Sequence, residues 1–349
     1  MKILFGGDFF VRGKIHLSAD LLSHLKSFDK IFVNFEAAVN IKKLPRHEKV
    51  GAYLEHDENV INTLNRLKIT DLCLANNHYF DFGKLGAKVS SKYLANNNFR
   101  IHGIDENNKF MINSIDRTHV VINVAESEFG VKSFLRYREN DEGFLSVTSP
   151  RLFVKINEQI KKGKKIILIV HAGLENTCRP LKQWIDYYEA FIDIGVYAVI
   201  CHHPHVPQFN KLLADKNIYP SLGNFFFENN RKKGIQKLGM LVEFDTTNSL
   251  WNHRYIIEVN GVYEILNNVD KIDYFLSRES CKDPVINLDA YLKFDLKRII
   301  LSKFPSSFIS LNPNWSNKLN RSSDFFIHNA RFESHRYAQE QYYTKMRGN

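Results

Sequence analysis

Short apolar runs alternate with amphipathic segments along most of the chain. Short runs bounded by turn residues are typical of buried strands, whereas apolar residues repeated at about every third or fourth position are typical of helices. The predicted strands are residues 3–5, 30–33, 72–75, 120–124, 166–170 and 196–200, and the predicted helices are residues 18–28, 58–68, 83–97, 150–162 and 180–194. Strands that alternate with helices predict an α/β fold whose chemistry lies at strand ends.

The helix predicted over residues 58–68 has the clearest local signals. Val60, Ile61 and Leu64 fall on one of its faces, as expected for an amphipathic helix packed on a core. Asp57 stands just before it and is predicted to be its N-cap.

The second half of the chain changes character twice. Residues 126–150 carry mixed charge with little periodicity and are predicted to form a long loop. The strands after residue 218 end at about Glu264 in an apparent hairpin, and the remaining sequence has a helical, amphipathic pattern with aromatic patches. We therefore predict one domain over residues 1–264 and a helical C-terminal extension over residues 265–349.

Composition and charge narrow the possible partners. Hydrophobic residues make up 44% and charged residues 25% of the 349 positions, as in ordinary globular proteins. The formal net charge of +10 suits an anionic partner, but Lys and Arg are scattered, so we expect no nucleic-acid binding. The cysteines form no CxxC pair, and we find neither a signal peptide nor a run of about 18 apolar residues. The expectation is a cytoplasmic chain without a membrane span.

A polar group follows nearly every predicted strand. Neighbouring loops converge at the carboxyl ends of strands in α/β sheets, so ligands are expected there. The residues in question are Asp8, Asn34, Glu36, Asn76, Asn77, His78, His171, His202, His203, His205 and Asn224. In an extended segment residues i and i+2 face the same side, so His203 and His205 are expected to converge on one site.

Together these residues favour a metal site. Taken singly, Asp8 could belong to a turn and His171 could be a core histidine, but Glu36 lies in an apolar stretch where a buried carboxylate needs a partner. The mixture of carboxylate, amide and imidazole donors is too hard for a structural zinc site. It suits two divalent ions, which can activate a water molecule and clamp a phosphoryl group. Mn²⁺, Fe²⁺ and Zn²⁺ all accept such ligands.

The polar residues belong to short motifs that follow one another along the chain. The motifs are Gly7-Asp8, Asn34-Phe35-Glu36, Asn76-Asn77-His78-Tyr79-Phe80-Asp81-Phe82-Gly83, His171-Ala172-Gly173-Leu174-Glu175, His203-Pro204-His205 and Ser221-Leu222-Gly223-Asn224-Phe225. In this order they resemble the CapA-like capsule-synthesis proteins, a family associated with poly-γ-glutamate synthesis and related to the calcineurin-like metallophosphoesterases. The resemblance covers about residues 1–260. It implies a four-layer αββα sandwich, with two mixed β-sheets face to face and helices outside.

The resemblance also implies roles for individual residues. The implied metal ligands are Asp8, Glu36, Asn77, His171, His203 and His205. His78 matches a histidine that assists the leaving group or a phosphoryl oxygen, and Asp81 could orient it. Glu175 and Asn224 match motif positions that face the pocket, either to contact substrate or to support the ligands. Arg12 is expected to clamp an anion with its planar guanidinium.

Three functions are compatible with these residues. The first is a metal-dependent hydrolase of capsule or surface-polymer biosynthesis, acting on a phosphorylated intermediate or an anionic polymer through a dinuclear metal site. The second is an accessory role in amide ligation or transfer during poly-γ-glutamate synthesis, together with capsule-synthesis partner proteins. The third is a non-catalytic scaffold that binds polymer, motivated by aromatic stretches such as residues 291–294. Phosphoesterases proper carry a histidine two residues after the first aspartate, whereas this chain has Phe10.

Overall fold

Two mixed β-sheets contain most of the strands. The computed structural model describes residues 1–47, 52–127, 142–228 and 234–277. The strands are β1 (Lys2–Phe10), β2 (His16–Leu17), β3 (Lys30–Phe35), β4 (Ala38–Val39), β5 (Glu55–His56), β6 (Asp71–Cys73), β7 (Arg100–Ile104), β8 (Phe110–Met111), β9 (Asn113–Ser114), β10 (His119–Ala125), β11 (Lys165–His171), β12 (Ala198–His202), β13 (Pro207–Gln208), β14 (Ile218–Tyr219), β15 (Ser221–Leu222), β16 (Asn224–Phe227), β17 (Leu238–Asp245), β18 (Leu250–Val259) and β19 (Val262–Leu266). The helices are α1 (Ala19–Lys26), α2 (Val60–Arg66), α3 (Gly83–Asn96), α4 (Pro150–Lys161), α5 (Lys182–Asp193), α6 (Lys211–Ala214) and α7 (Val269–Ser277).

The strand order confirms the predicted α/β class. Within the described residues, the larger sheet has the order β2-β19-β18-β17-β1-β3-β6-β7-β8, and β16 also pairs with β1. The smaller sheet has the order β14-β12-β11-β10-β9. In both sheets the central strands are parallel. Antiparallel strands flank them on both sides of the larger sheet, where β17 pairs with β1 and β8 with β7, and on one side of the smaller sheet, where β9 pairs with β10. The hairpin predicted near the end of the domain is a three-stranded antiparallel meander, β17-β18-β19.

Three apolar clusters account for the packing of these elements. One contains residues of both sheets, such as Phe32 of β3 and Ile167 of β11. Another joins the larger sheet to α1, α2 and α3, with Leu21 among its buried members. The last joins the smaller sheet to α4 and α5, where Ile156 and Trp184 are buried. Each sheet is therefore apolar on both faces, which explains the nearly continuous apolar runs in its parallel strands.

Serine side chains cap the starts of two helices. The side chain of Ser18 accepts the backbone N–H of Leu21 at the start of α1, and Ser149 caps α4. The prediction that Asp57 caps the next helix is wrong. α2 begins at Val60, and the Asp57 carboxylate instead accepts the backbone N–H of Asn59 at 2.8 Å, which makes a turn before the helix.

The central strand β1 depends on close backbone contacts. A Cβ added at Gly7 would lie 1.9 Å from the carbonyl oxygen of Gly223, which also accepts the backbone N–H of Asp8 at 2.8 Å. Only a residue without a side chain permits this approach. The glycine therefore lets the segment before β16 cross β1 beside Asp8.

The structure describes only parts of the predicted loop over residues 126–150 and of the predicted helical extension over residues 265–349. Residues 142–149 contain isolated bridges but no helix or strand, as predicted, whereas residues 128–141 lie outside the described residues. The predicted C-terminal extension is described only as far as α7; the remainder, including the aromatic stretch at 291–294, lies outside the described residues. The domain boundary stays a prediction. In the described part of the chain, every helix is too short or too polar to cross a bilayer.

We predict that Gly7→Ala destabilises the fold by at least about 3 kcal/mol, because the new methyl group would overlap backbone rather than a movable side chain. Gly13→Ala is the matched control, since the nearest atom to its added Cβ is Glu228 Oε2 at 3.6 Å. Urea denaturation followed by circular dichroism measures both variants. Equal midpoints would show that the close approach at Gly7 is not required.

Candidate metal centre

The candidate ligands lie at the carboxyl-terminal ends of strands in both sheets. Asp8 lies in β1 beside Asn34 of β3, Glu36 directly follows β3, and His171 is the last residue of β11. The apolar run at residues 3–5 predicts a strand that ends before Asp8. The strand instead continues to Phe10, because its last residues pair with β16.

Asp8, Glu36 and His205 form a tight cluster, called the Asp8 group below. One donor atom from each lies within 4.8 Å of the others. His205 stands between the carboxylates: its Nδ1 lies 3.1 Å from Asp8 Oδ2 and its Nε2 lies 3.4 Å from Glu36 Oε1. Both carboxylates are fully buried, whereas 16% of the His205 side chain is exposed. Carboxylate and imidazole donors at this spacing suit a divalent cation.

Asn77, His171 and His203 form a second cluster, called the Asn77 group. His171 Nε2 lies 3.1 Å from Asn77 Oδ1 and 2.9 Å from His203 Nδ1. The backbone N–H of His203 donates to Asp8 Oδ2 at 3.4 Å, so the two groups adjoin. The fold thus brings together the side chains that the sequence analysis expected to hold metal.

His203 and His205 arrive at this site by a bend rather than an extended segment. The expected extended geometry is wrong, because β12 ends at His202 and φ is 99° at His203 and 58° at His205. Pro204 between them has a fixed φ and disfavours helical geometry in the residue before it. Gly173 leaves room for the bend, since a Cβ there would lie 2.9 Å from Pro204 Cγ.

Two further residues contact the ligands without having been assigned a role. Asn34 Nδ2 lies 2.7 Å from Asp8 Oδ1 and 3.2 Å from Glu36 Oε2. His202 Nδ1 lies 3.7 Å from Asp8 Oδ1. A signal for Asn34 was available: it precedes Glu36 by two residues at the end of a strand, so both side chains face the same side. His202 carried no comparable signal, because nothing in the sequence separates its role from that of the adjacent His203.

His78 and Asp81, which the resemblance pairs, are hydrogen bonded. His78 Nδ1 lies 3.0 Å from Asp81 Oδ2, which also accepts the backbone N–H of Leu54 at 2.8 Å. Asp81 is fully buried, and 10% of the His78 side chain is exposed. A carboxylate in this position determines which ring nitrogen carries the proton and orients the imidazole for proton transfer.

The residues expected to bind substrate lie in different surroundings. Asn224 is buried and holds His205: its Oδ1 lies 3.0 Å from His205 Nδ1, and its Nδ2 donates to the His205 carbonyl oxygen at 3.0 Å. Glu175 is exposed on the loop after β11. Arg12 is exposed, and its guanidinium carbon lies 5.1 Å from the centre of the Phe10 ring. Asn224 therefore supports a ligand, and substrate contact by these three residues stays a prediction.

Burial and charge shift the pKa values of the two carboxylates in opposite directions. Burial alone would raise the pKa of Asp8, but its hydrogen bond and charge pairing with His205 outweigh burial and lower that pKa. Burial raises the pKa of Glu36 well above its usual value, and the negative charges of Asp8 and Glu175 add to this shift. Without a bound cation, Glu36 therefore holds a proton more tightly than an ordinary glutamic acid.

The histidines divide in the same way. Burial lowers the pKa of His203 to about 4, and burial with the neighbouring imidazoles lowers that of His171 well below its usual value. Burial would lower the pKa of His205 as well, but the charges of Glu36 and Asp8 raise it to about 10. The Asn77 group therefore offers neutral imidazoles, the form that binds metals, while the coupled pair of His205 and Glu36 holds a proton in the Asp8 group.

The Asp8 group has the features of a cation site. Glu36 Oε1 is buried and makes no hydrogen bond to any residue that the structure describes, although it faces His205 Nε2. An unsatisfied buried carboxylate oxygen is costly unless a cation or a donor contacts it. Because the donor types, their burial and this unsatisfied oxygen agree, the residues fit divalent ions.

Comparison with known proteins shows which family the chain matches. The model of a family described as "Bacterial capsule synthesis protein PGA_cap" matches residues 12–229. The matched region includes the motifs that contain His78, His171 and His203, and it begins four residues after Asp8.

Two curated proteins and a solved structure are similar to parts of the chain. The capsule biosynthesis protein CapA of Bacillus anthracis is 28% identical over 233 residues, which are 64% of this chain and 55% of that protein. The PGA biosynthesis protein CapA of Bacillus subtilis (strain 168) is 25% identical over 209 residues, 58% of this chain and 54% of that protein. The chain spans about half the length of the curated relatives it matches. A solved protein of Thermus thermophilus, TT1561, aligns with a TM-score of 0.39 and 8% identity, over 72% of this chain and 97% of that one.

We predict that binding of Mn²⁺ or Zn²⁺ at neutral pH releases about one to two protons per chain, because a cation competes with the protons held by Glu36 and His205. Since the pKa values of both groups are raised, metal affinity should increase with pH through the neutral range. Titration calorimetry in buffers of different ionisation enthalpy counts the protons. The Glu36→Gln variant should release fewer, and binding heats that do not depend on the buffer would contradict the assignment.

Proposed function

Since the chain belongs to the bacterial capsule synthesis protein family PGA_cap, we propose that it is a metal-dependent hydrolase of capsule or surface-polymer biosynthesis. The family resemblance drawn from the six sequence motifs is thereby confirmed. The substrate we propose is a phosphorylated intermediate or an anionic polymer. The observation that carries the proposal is the pair of adjoining donor groups built on Asp8 and Asn77.

The proposed ligands divide between two divalent ions. Asp8, Glu36 and His205 would hold one, and Asn77, His171 and His203 would hold the other, with Asp8 adjoining both groups. Bound divalent ions supply Lewis acidity and neutralise the negative charge of a phosphoryl or carboxylate group. Mn²⁺, Fe²⁺ and Zn²⁺ are all compatible with these nitrogen and oxygen donors.

Substrate would approach from the side where the cluster is partly exposed. The side chains of His205 and His78 are 16% and 10% exposed, and Asn77 is also partly exposed, whereas Asp8 and Glu36 are fully buried. The buried carboxylates therefore cannot contact a polymer directly. We propose that the carboxylates hold cations and that the partly exposed residues, His78, Asn77 and His205, contact the substrate.

The His78–Asp81 pair supplies the proposed acid–base step. Asp81 Oδ2 is held by the backbone N–H of Leu54 and lies 3.0 Å from His78 Nδ1. This carboxylate stabilises the protonated imidazole and fixes its orientation. His78 can then give a proton to the leaving group of the substrate, the role of a general acid.

An anionic substrate is consistent with the charge of the chain and with the family. The formal net charge is +10, which favours association with polyanions. The curated relatives carry names that refer to capsule and PGA biosynthesis. We propose that Arg12 and Glu175 line the approach to the site, where Arg12 would bind a carboxylate or phosphate group.

We also propose that the fold has the four-layer αββα arrangement that the resemblance implies. Support comes from the apolar clusters: one contains residues of both sheets, and each of the other two joins one sheet to its own helices. Such an arrangement would place the Asp8 group and the Asn77 group at the same end of two facing sheets.

Metal content tests the first part of the proposal. Protein purified without chelator should contain about two divalent ions per chain. The variant that combines His203→Ala with His205→Ala should lose most of them, because the two substitutions together remove one imidazole from each group. His16→Gln is the control, since His16 is exposed in β2. Elemental analysis measures the metal content of all three proteins. If the native chain contains no Mn²⁺ or Zn²⁺ even after reloading, metal-dependent hydrolysis is excluded.

Turnover tests the second part. The metal-loaded chain should hydrolyse an activated phosphodiester, poly-γ-glutamate or a phosphorylated surface-polymer intermediate. His78→Gln should lower kcat by about 10²- to 10⁴-fold with unchanged metal content, because it removes the proposed general acid. Asp81→Asn should cause a smaller loss, since the imidazole remains. A fully loaded chain that hydrolyses none of these substrates would favour a polymer-binding scaffold or an accessory role in amide ligation instead.

A further inference from the structure

Two buried asparagines, Asn34 and Asn76, connect the carboxylates of the Asp8 group to the His78 loop. Neither is among the metal ligands or substrate-binding residues that the resemblance implies. Asn34 is 1% exposed and Asn76 is fully buried. Because a buried amide must satisfy both its donors and its acceptor, the contacts of these two side chains show what they hold.

The orientation of Asn76 is determined by the backbone. Its Oδ1 accepts the backbone N–H of His78 at 3.0 Å, and its Nδ2 donates to the carbonyl oxygen of Phe35 at 3.0 Å. A flipped amide would set donor against donor at His78 and acceptor against acceptor at Phe35. The second N–H of Asn76 therefore faces Asn34 Oδ1, at 3.3 Å.

Asn76 in turn determines the orientation of Asn34. With its Oδ1 towards Asn76, Asn34 presents Nδ2 to Asp8 Oδ1 at 2.7 Å and to Glu36 Oε2 at 3.2 Å. The ring nitrogen His171 Nδ1 also lies 3.2 Å away. An amide has two N–H bonds, and hydrogen bonds to carboxylate oxygens are the stronger ones, so we assign them to Asp8 and Glu36.

This arrangement separates the two oxygens of each carboxylate. Asn34 holds Asp8 Oδ1 and Glu36 Oε2, whereas Asp8 Oδ2 and Glu36 Oε1 face His205 at 3.1 Å and 3.4 Å. One oxygen of each carboxylate is therefore directed towards the position between the Asp8-group donors. Removing a group that holds a ligand in this way typically weakens metal binding by about 10- to 100-fold.

We propose that Asn34 and Asn76 form a positioning relay, in which Asn34 aims both carboxylates and Asn76 fixes Asn34 against the backbone at Phe35 and His78. The inference rests on the proposed function, since it concerns the same metal site. It goes beyond that function in assigning the geometry of the Asp8 group, and its link to the His78 loop, to two residues that touch neither metal nor substrate.

The test is the affinity of the full-length chain for Mn²⁺ alone, measured by titration calorimetry. Asn34→Leu should weaken binding by about 10- to 100-fold, the range typical of a lost supporting hydrogen bond. The matched control is Asn108→Leu. Asn108 is also buried, and its Nδ2 donates to the carbonyl oxygen of Lys84 in α3 at 2.9 Å, which involves none of the proposed ligands. The control should keep the native affinity within about threefold while losing comparable thermal stability.

A double-variant cycle separates a relay from two independent effects. Asn76→Ala should also weaken Mn²⁺ binding, but adding it to Asn34→Leu should cause little further loss, because the relay transmits the effect of Asn76 to the carboxylates through Asn34. The visible absorption spectrum of the Co²⁺-loaded chain gives a second readout, since it reports the ligand geometry rather than stability. It should change in Asn34→Leu and not in Asn108→Leu.

Each outcome decides between the proposals. If the native chain binds Mn²⁺ and Asn34→Leu binds it equally well with an unchanged Co²⁺ spectrum, the relay is wrong and the proposed function stands. Fully additive losses would also overturn the relay. If the native chain binds no metal, both fall together. Should Asn34→Leu fail to fold, Asn34→Ser takes its place, with a hydroxyl that supplies one of the two donors and an intermediate loss expected.

Discussion

The burial of Asp8 and Glu36 side by side is the constraint on which the candidate site depends. Both carboxylates are fully buried on or next to neighbouring parallel strands. Removing a carboxylate from water costs several kcal/mol unless opposite charge or hydrogen bonds compensate. The surroundings supply both: Asn34 donates to one oxygen of each, and His205 lies between the other two. Cation binding would complete this compensation rather than merely use an existing cavity.

The second sheet is needed because the compensating imidazoles belong to it. His171 ends β11, and His203 and His205 follow β12, whereas the carboxylates lie on the larger sheet. The apolar cluster with members from both sheets determines the distance between these two sets of donors. Asn123 of β10 adds a polar link, since it accepts the backbone N–H of Ala75 after β6. The geometry of the site is therefore a property of the packed sheets rather than of any single loop.

Much of this arrangement could be predicted from the sequence, and the failures have identifiable physical causes. The parallel strands are buried on both faces, so their apolar runs were visible, whereas β7 was missed because Arg100, His102 and Gly103 interrupt its pattern. The helix pattern after Asp57 was right, but a carboxylate can cap a turn as easily as a helix. The motifs also identified ligand candidates whose side chains lie close together in the structure. They could not show that a bend at positive φ brings His203 and His205 together, since that depends on packing of Pro204 against Gly173.

The aromatic wall beside the Asp8 group explains where the two donor groups differ. The ring centre of Phe10 lies 5.4 Å from that of Phe227. Phe227 in turn packs against His205, with ring centres 4.7 Å apart. These rings offer no metal ligand, but they exclude water from the side of His205 that they cover. Excluding water strengthens the pairing of His205 with the carboxylates. A cation that enters the Asp8 group must therefore displace a bound proton, whereas one that enters the Asn77 group meets imidazoles that are already neutral.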